Sequence, residues 1–288
     1  MYVLCSPCVL NPTVRARGIT KQSDLDLFAK VIERCDRFGI GIVPLPCPET
    51  LYLGLDREPG TFLERLNTPE FSRLMDQLER GVKDIVRERG QPLCIIGVNS
   101  SPTCGVTATY YGEEPGKPAK REGRGVFLSR FLEIPAFDVA VFSRYQIYLA
   151  APLFSEAERT FNASVASTLK EHLFDVHLPQ EAGDDSGTRG TREQERLFDV
   201  NREALEKSDF IVAIIDGADA DSGTAWEMGY AFARKKPVIA LRTDFRRVGH
   251  HEHVNLMLEQ SAKVVGSVEE VLAVLQSPCR KHSPGKTS

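Results

Sequence analysis

The sequence predicts an α/β protein of two domains, each built on a mostly parallel sheet flanked by helices. Three observations carry this expectation. The chain has 288 residues, long for one domain and comfortable for two. Stretches with helical periodicity alternate with short buried apolar runs along its whole length, as crossover helices alternate with strands. The character then changes at a short join, residues 143–146, from turns punctuated by proline and cysteine to loops rich in glycine and acid.

The elements follow in order. In the first half, residues 28–38 and 64–89 are helical by period, and 41–45 and 93–98 read as short buried strands, each feeding a Pro/Cys turn. Residues 111–125 are polar, basic and rich in Gly and Pro, so an exposed loop is expected, and a last strand is expected over 137–142. The second half opens on a strand at 147–151, with a helix at 155–174, a short strand near 175–178, a Gly/Asp/Ser loop at 179–190 and a helix at 193–207. A strand over 210–215 leads into a helix over 224–234, then a strand at 237–241 and a His/Arg-rich loop. A short apolar helix (254–258), a strand (263–265) and a terminal helix (268–276) complete this half. The domains expected are therefore 1–142 and 147–277, with a disordered tail over 278–288.

Composition bounds the function. Apolar residues make up 42% and charged residues 26%, ordinary for a soluble globular chain. A net charge of −4 offers neither nucleic acid nor an anionic membrane a basic surface. No apolar run approaches the roughly 18–20 residues of a membrane span, and Met1 to Cys5 lack the basic, long apolar start of an export signal. A cytoplasmic protein is expected. Its seven cysteines, an odd number, are then packed thiols, metal ligands or catalytic groups rather than disulfides.

The most informative segment runs from Ile214 to Ala231. An apolar strand ends at a turn carrying Asp216, Asp219 and Asp221, and Glu227 lies in the first turn of the helix expected next. In an open α/β sheet, ligands bind beyond the carboxyl ends of the strands. An acid there also caps free N–H groups and complements the helix dipole, which accounts for one carboxylate but not for Asp221, Glu227 and spaced glycines such as Gly223 together. A carboxylate nucleophile with a second acid beside it suits substitution at a sugar anomeric carbon. Three cysteines share another context. Cys8, Cys47 and Cys104 each follow a short apolar strand in a turn containing proline, and parallel strands bring such turns to one edge. Soft thiolates select iron–sulfur clusters, zinc or copper(I), and three of them leave a coordination position open. Three unrelated buried thiols remain the alternative, which Cys35 and Cys94 fit better, while Cys5 could belong to either set.

Both segments resemble known families. Residues 147–276 are similar to the nucleoside 2-deoxyribosyltransferase family, through Ile147-Tyr148-Leu149-Ala150-Ala151-Pro152-Leu153-Phe154, Ser208-Asp209 with Ile211 to Asp216, Asp221 to Gly229, and Val254-Asn255-Leu256-Met257. The resemblance implies Glu227 as nucleophile, Asp221 as its acidic partner, and Tyr148 orienting the nucleophile or lining the sugar pocket. It implies substrate contacts by Gly223, Asp216 and Gln180, no cofactor for this domain, and Asn255 reaching a neighbouring subunit, hence a homo-oligomer with shared active sites. Asn201 stands where many relatives carry an aspartate facing the base, and an amide cannot supply a carboxylic proton. Residues 1–142 are similar to the thiouracil desulfidase group through Cys8-Val9-Leu10 with Arg15 and Gly18, Cys47-Pro48-Glu49, and Ser101-Pro102-Thr103-Cys104-Gly105. This implies a [4Fe-4S] cluster on Cys8, Cys47 and Cys104, with Glu49 activating water or shuttling protons and Ser101 positioning substrate. The first motif departs at Asn11-Pro12 and Arg15-Ala16-Arg17.

A single expectation joins these resemblances: a doubly wound, flavodoxin- or Rossmann-like second domain cleaves or exchanges the base of a nucleoside, and the first removes sulfur from a thiolated nucleobase. The alternatives are an N-glycoside hydrolase, a nucleotide-binding sensor without turnover, and a zinc or redox protein in the first half. Simpler roles stay open for individual residues: a core tyrosine at 148, helix or turn caps at Asn255 and Asp216, Trp226 packed under the motif, and a solvated loop at His250, His251 and His253.

Overall fold

The computed structural model describes residues 1–112, 120–182, 190–246 and 254–277. His250, His251, His253, Cys279 and the tail lie outside the described residues. The chain divides into two compact units, one spanning Met1–Ser143 and the other beginning at Arg144.

The first unit contains β1 (Tyr2–Cys5), α1 (Pro7–Leu10), α2 (Gln22–Arg37), β2 (Gly41–Pro44), α3 (Pro48–Leu53), α4 (Phe62–Arg65) and α5 (Pro69–Arg89). β3 (Ile95–Gly97), β4 (Ala108–Tyr110), β5 (Lys120–Glu122), β6 (Ala136–Asp138) and α6 (Val139–Phe142) follow. Four strands pair in parallel in the order β2-β1-β3-β6. The order reverses at β1, so the ends of β1 and β3 flank a crevice. α2 buries Phe28, Val31 and Cys35, and α5 buries Phe71, Met75 and Val82, the one-sided spacing of helices laid on a sheet.

Three expectations are corrected here. The helical period over 64–89 is broken at Thr68-Pro69, because proline disfavours a helical residue before it, and Thr68 instead caps α5 by accepting from Phe71 N at 3.1 Å. The strand expected over 137–142 is three residues of β6 followed by α6. Asp138 ends it by accepting from Ala140 N (3.0 Å) and from Asn99 N (2.7 Å). The polar stretch expected as a loop contains β5, which pairs antiparallel with β4. Its cations lie over aromatic rings, Lys120 at 5.3 Å from the Tyr110 centroid and Arg121 at 4.5 Å from that of Tyr111, so an exposed strand forms without apolar alternation.

The second unit contains β7 (Gln146–Ala150), α7 (Glu156–Glu171), β8 (Asp175–His177), α8 (Thr191–Lys207), β9 (Phe210–Ile214), α9 (Ser222–Ala233), β10 (Val238–Leu241), α10 (Leu256–Ser261), β11 (Lys263–Val265) and α11 (Val268–Gln276). Five parallel strands run β11-β10-β9-β7-β8, the doubly wound, flavodoxin-like order with its reversal between β7 and β9. Strands β7, β9 and β10 are buried on both faces, so they read as continuous apolar runs rather than alternating ones. Asp209 registers the two strands at the reversal. Its carboxylate accepts from Tyr145 N (3.0 Å) and Gln146 N (3.1 Å), and its own N–H donates to Gln146 O (2.7 Å). Among the described residues no helix is long and apolar enough to cross a membrane.

Candidate functional site

In the second unit the reversal of strand order brings together Tyr148 on β7, His177 at the end of β8, Asn201 on α8 and Glu227 in α9. Tyr148 is fully buried, and its hydroxyl donates to Glu227 Oε1. The enclosed Tyr148 ring thus has its one polar atom on the Glu227 carboxylate. Burial raises the Glu227 carboxyl from an ordinary 4.5 to about 7, with the Tyr148 hydrogen bond opposing the rise and the Asp221 charge adding to it. Burial and the adjacent carboxylate also push the Tyr148 phenol upward, so it stays a donor at neutral pH. Replacing Tyr148 by Phe therefore removes the hydrogen bond that lowers the Glu227 value. The Glu227 carboxyl in Tyr148→Phe is expected to titrate about one pH unit higher, read by carbon NMR of the labelled side chain; an unchanged midpoint would refute the coupling.

Asp221 is both neighbour and cap. Its Oδ2 accepts from Gly223 N (2.9 Å) and Thr224 N (3.1 Å), and this starts α9 two residues earlier than the apolar period suggested. The Gly223 N–H is thereby engaged by the cap. Asp216 is likewise absorbed by the fold, accepting from Thr243 N (2.6 Å), Asp244 N (2.9 Å) and Thr243 Oγ1 (2.6 Å). The next residue, Gly217, turns with φ of 109°, a conformation open to glycine. Arg242 braces that turn by donating to Ile215 O (2.7 Å) and Gly217 O (3.2 Å). Gln180 spends both ends of its amide, donating to Arg159 O (3.0 Å) and accepting from Asn162 Nδ2 (3.1 Å). Asn255 caps α10, accepting from Met257 N at 3.0 Å. Trp226 does not pack under the motif: it is 49% exposed and stacks on Tyr230, 5.2 Å between centroids.

His177 escaped the sequence reading. Its ring stacks on Tyr148 (5.3 Å, 22°), and its Nε2 lies 2.9 Å from Asn201 Oδ1. The available signal was a polar residue ending a short strand beside the tyrosine's strand, too common a pattern to stand out.

In the first unit the strand ends deliver a second group. Cys8 sits in α1, one turn after β1, and Cys47 is the N-cap residue of α3. Cys104 lies in the loop after β3, where Gly97 admits it: a Cβ on Gly97 would come within 2.5 Å of Cys104 O. The three thiols lie close enough to interact electrostatically. Burial pushes Cys8 up to about 12, with Arg15 opposing and Cys47 and Glu49 reinforcing the rise, and burial with the Cys47 charge raises Cys104. Glu49 accepts from Thr103 Oγ1 (2.8 Å) and Ser101 Oγ (3.0 Å), while Ser101 Oγ accepts from Cys104 N at 3.0 Å. The buried Arg57 lies 3.6 Å from Glu49 and donates to Thr50 Oγ1 at 3.0 Å, an atom itself 3.1 Å from Cys47 Sγ. Thr103, Thr50 and Arg57 are thus parts of the group that the motifs did not single out. Cys5, Cys35 and Cys94 are buried.

Among the described residues no three His, Cys, Asp or Glu side chains are arranged to hold one metal ion. A four-iron cluster makes a different demand, one thiolate on each iron it engages. Cys104 is buried and Cys8 and Cys47 are half-buried; burial opposes ionisation of Cys8 and Cys104, which need a compensating cationic group to become thiolates. By donor chemistry the set fits a soft cluster.

A family model described as nucleoside 2-deoxyribosyltransferase matches residues 147–265. Similar curated proteins include an uncharacterised one from Methanocaldococcus jannaschii, 32% identical over 107 residues, which cover 36% of this chain and 63% of that protein. The chain thus spans less than two thirds of that relative. An uncharacterised protein from Ureaplasma parvum is 33% identical over 131 residues, 41% of this chain and 80% of its own. Among solved structures, a [4Fe-4S]-dependent thiouracil desulfidase is similar at 19% identity and a TM-score of 0.32, covering 58% of this chain and 98% of its own.

Proposed function

We propose, from the match of residues 147–265 to the nucleoside 2-deoxyribosyltransferase model, that the second unit cleaves the N-glycosidic bond of a nucleoside with Glu227 as nucleophile. The observation that carries this reading is the buried Tyr148–Glu227 pair at the reversal of strand order. A Glu227 carboxylate oxygen attacks the anomeric carbon, the bond from that carbon to the base nitrogen breaks, and the electron pair leaves with the base. A second base, or water, then displaces the glycosyl ester and regenerates Glu227. Tyr148 orients the carboxylate, and Asp221, whose charge raises the Glu227 value, exchanges the proton of the departing or incoming base. Asn201 contacts the base. Asn255 serves a neighbouring subunit, making the enzyme a homo-oligomer.

For the first unit the reading is a desulfidase of thiolated nucleobases. Cys8, Cys47 and Cys104 would hold a [4Fe-4S] cluster, which when bound supplies a Lewis-acidic iron for the sulfur. Glu49, held by Ser101 and Thr103, moves a proton between water and the base as C=S and water become C=O and hydrogen sulfide. One buried and two half-buried thiols grouped with one carboxylate support this reading.

The test uses the full chain, loaded anaerobically with iron and sulfide, with deoxyuridine and 2-thiodeoxyuridine as substrates. Release of free base is expected from both, and sulfide from the second. Adding an acceptor base separates transfer from hydrolysis by the appearance of a new nucleoside. No released base, together with no glycosyl adduct on the Glu227 peptide by mass spectrometry, would sink the nucleophile assignment.

A further inference from the structure

We propose that His177 is a positioning residue that holds the Asn201 amide with its N–H donors toward the departing base, so that the second unit selects bases bearing an oxo or thioxo group over their amino analogues. The inference rests on the N-glycoside reading above and deepens it by naming a substrate class.

His177 closes β8 directly opposite Tyr148 of β7 in the parallel register. Stacking at 5.3 Å and 22° sets its ring plane, and the Tyr148 ring is itself held by its hydroxyl on Glu227. In the tautomer with its proton on Nε2, the imidazole donates to Asn201 Oδ1, 2.9 Å away. That tautomer sets the amide orientation. Asn201 Oδ1 is committed to His177, while its Nδ2, with two N–H donors, has no partner among the described residues. The residue is half-buried and stands one stacked ring away from the Tyr148–Glu227 pair.

Such a group recognises acceptors. A carbonyl or thiocarbonyl on the base accepts an N–H, whereas an exocyclic amine sets donor against donor and leaves both unpaired in a partly dry site. Without His177 nothing fixes the amide, because its two ends are nearly the same size, and a half-turn about its last bond would suit an amino base as well. His177 thus acts through Asn201 rather than on the substrate.

The test compares equilibrium dissociation constants for uracil and cytosine on the full-length protein, with turnover of deoxyuridine measured on the same preparations. The wild type is expected to bind uracil about tenfold more tightly than cytosine, the scale of one well-placed hydrogen bond. His177→Phe keeps a flat ring on Tyr148 but loses the N–H, and its preference is expected to fall to about threefold or less. His177→Gln restores a donor to Asn201 Oδ1 and is expected to recover most of the preference. A merely structural role would weaken both bases together and leave the ratio unchanged. A wild type without uracil preference, or His177→Phe with the wild-type ratio, overturns the proposal. The preference seen without cleavage of deoxyuridine would remove the nucleophile reading while leaving base selection intact; cleavage with an unmoved ratio would remove only the role of His177.

Discussion

Glu227→Ala is expected to lower base release by about 10⁴-fold or more, the scale seen when a covalent nucleophile is deleted. The wild-type rate should fall on the acid side with a midpoint near 7, because burial raises the Glu227 carboxyl to about that value and only its ionised form attacks. The same burial has a stability consequence of defined sign. Between an ordinary 4.5 and about 7 the folded chain keeps a proton that the unfolded chain has lost. Stability therefore declines as pH rises through that window. Glu227→Gln removes the burden, which at full extent corresponds to about 3 kcal/mol. Thermal unfolding should show the glutamine variant little changed at pH 4 and more stable than wild type at pH 8. A difference independent of pH would show that Glu227 is not the buried acid described here, and an alanine variant retaining a tenth of the activity would dismiss it as nucleophile.

The second large effect concerns the thiols. Chain loaded anaerobically with iron and sulfide is expected to turn brown and to hold about four irons, with Cys8→Ser, Cys47→Ser and Cys104→Ser each losing most of the iron and the visible absorbance. Cys35→Ala serves as the comparison, since Cys35 is a buried residue of α2, and it is expected to load like the wild type. A wild-type chain that takes up no iron, or three serine variants that load normally, would return these cysteines to packing residues. Loss of iron without loss of base release is also expected, because Glu227 and the thiols lie in separate compact units.

Much of the fold is legible in the linear pattern because buried parallel strands must be apolar throughout and the helices over them apolar on one side. The runs at 147–151, 210–215 and 237–241 correspond to β7, β9 and β10 for that reason. The places where the reading failed are those where a polar side chain, rather than hydrophobic period, chose the backbone. Asp138 turned a strand into a helix, Thr68 with Pro69 divided one, and cations over tyrosines made a strand of β5. Each is a local hydrogen bond or ring contact that leaves no periodic trace. Candidate site residues divide along the same line. Acids at a strand end are visible in sequence, but whether a given acid is free or already bonded depends on what approaches it, and Asp216 proved to be held by Thr243 and Asp244.

By itself, then, the sequence determined the alternation of strands and helices, the carboxylate-rich turn before Glu227, and the cysteine-bearing turns after successive strands. These are consequences of residue type and spacing, which a linear pattern holds in full. Only the tertiary structure decided that Tyr148 bonds Glu227, that His177 stacks on that tyrosine and holds Asn201, and that Thr103 and Arg57 reach the Glu49 carboxylate. Such contacts join residues tens of positions apart through the order in which strands pair. That order is set by how the apolar faces pack, and no local segment records it.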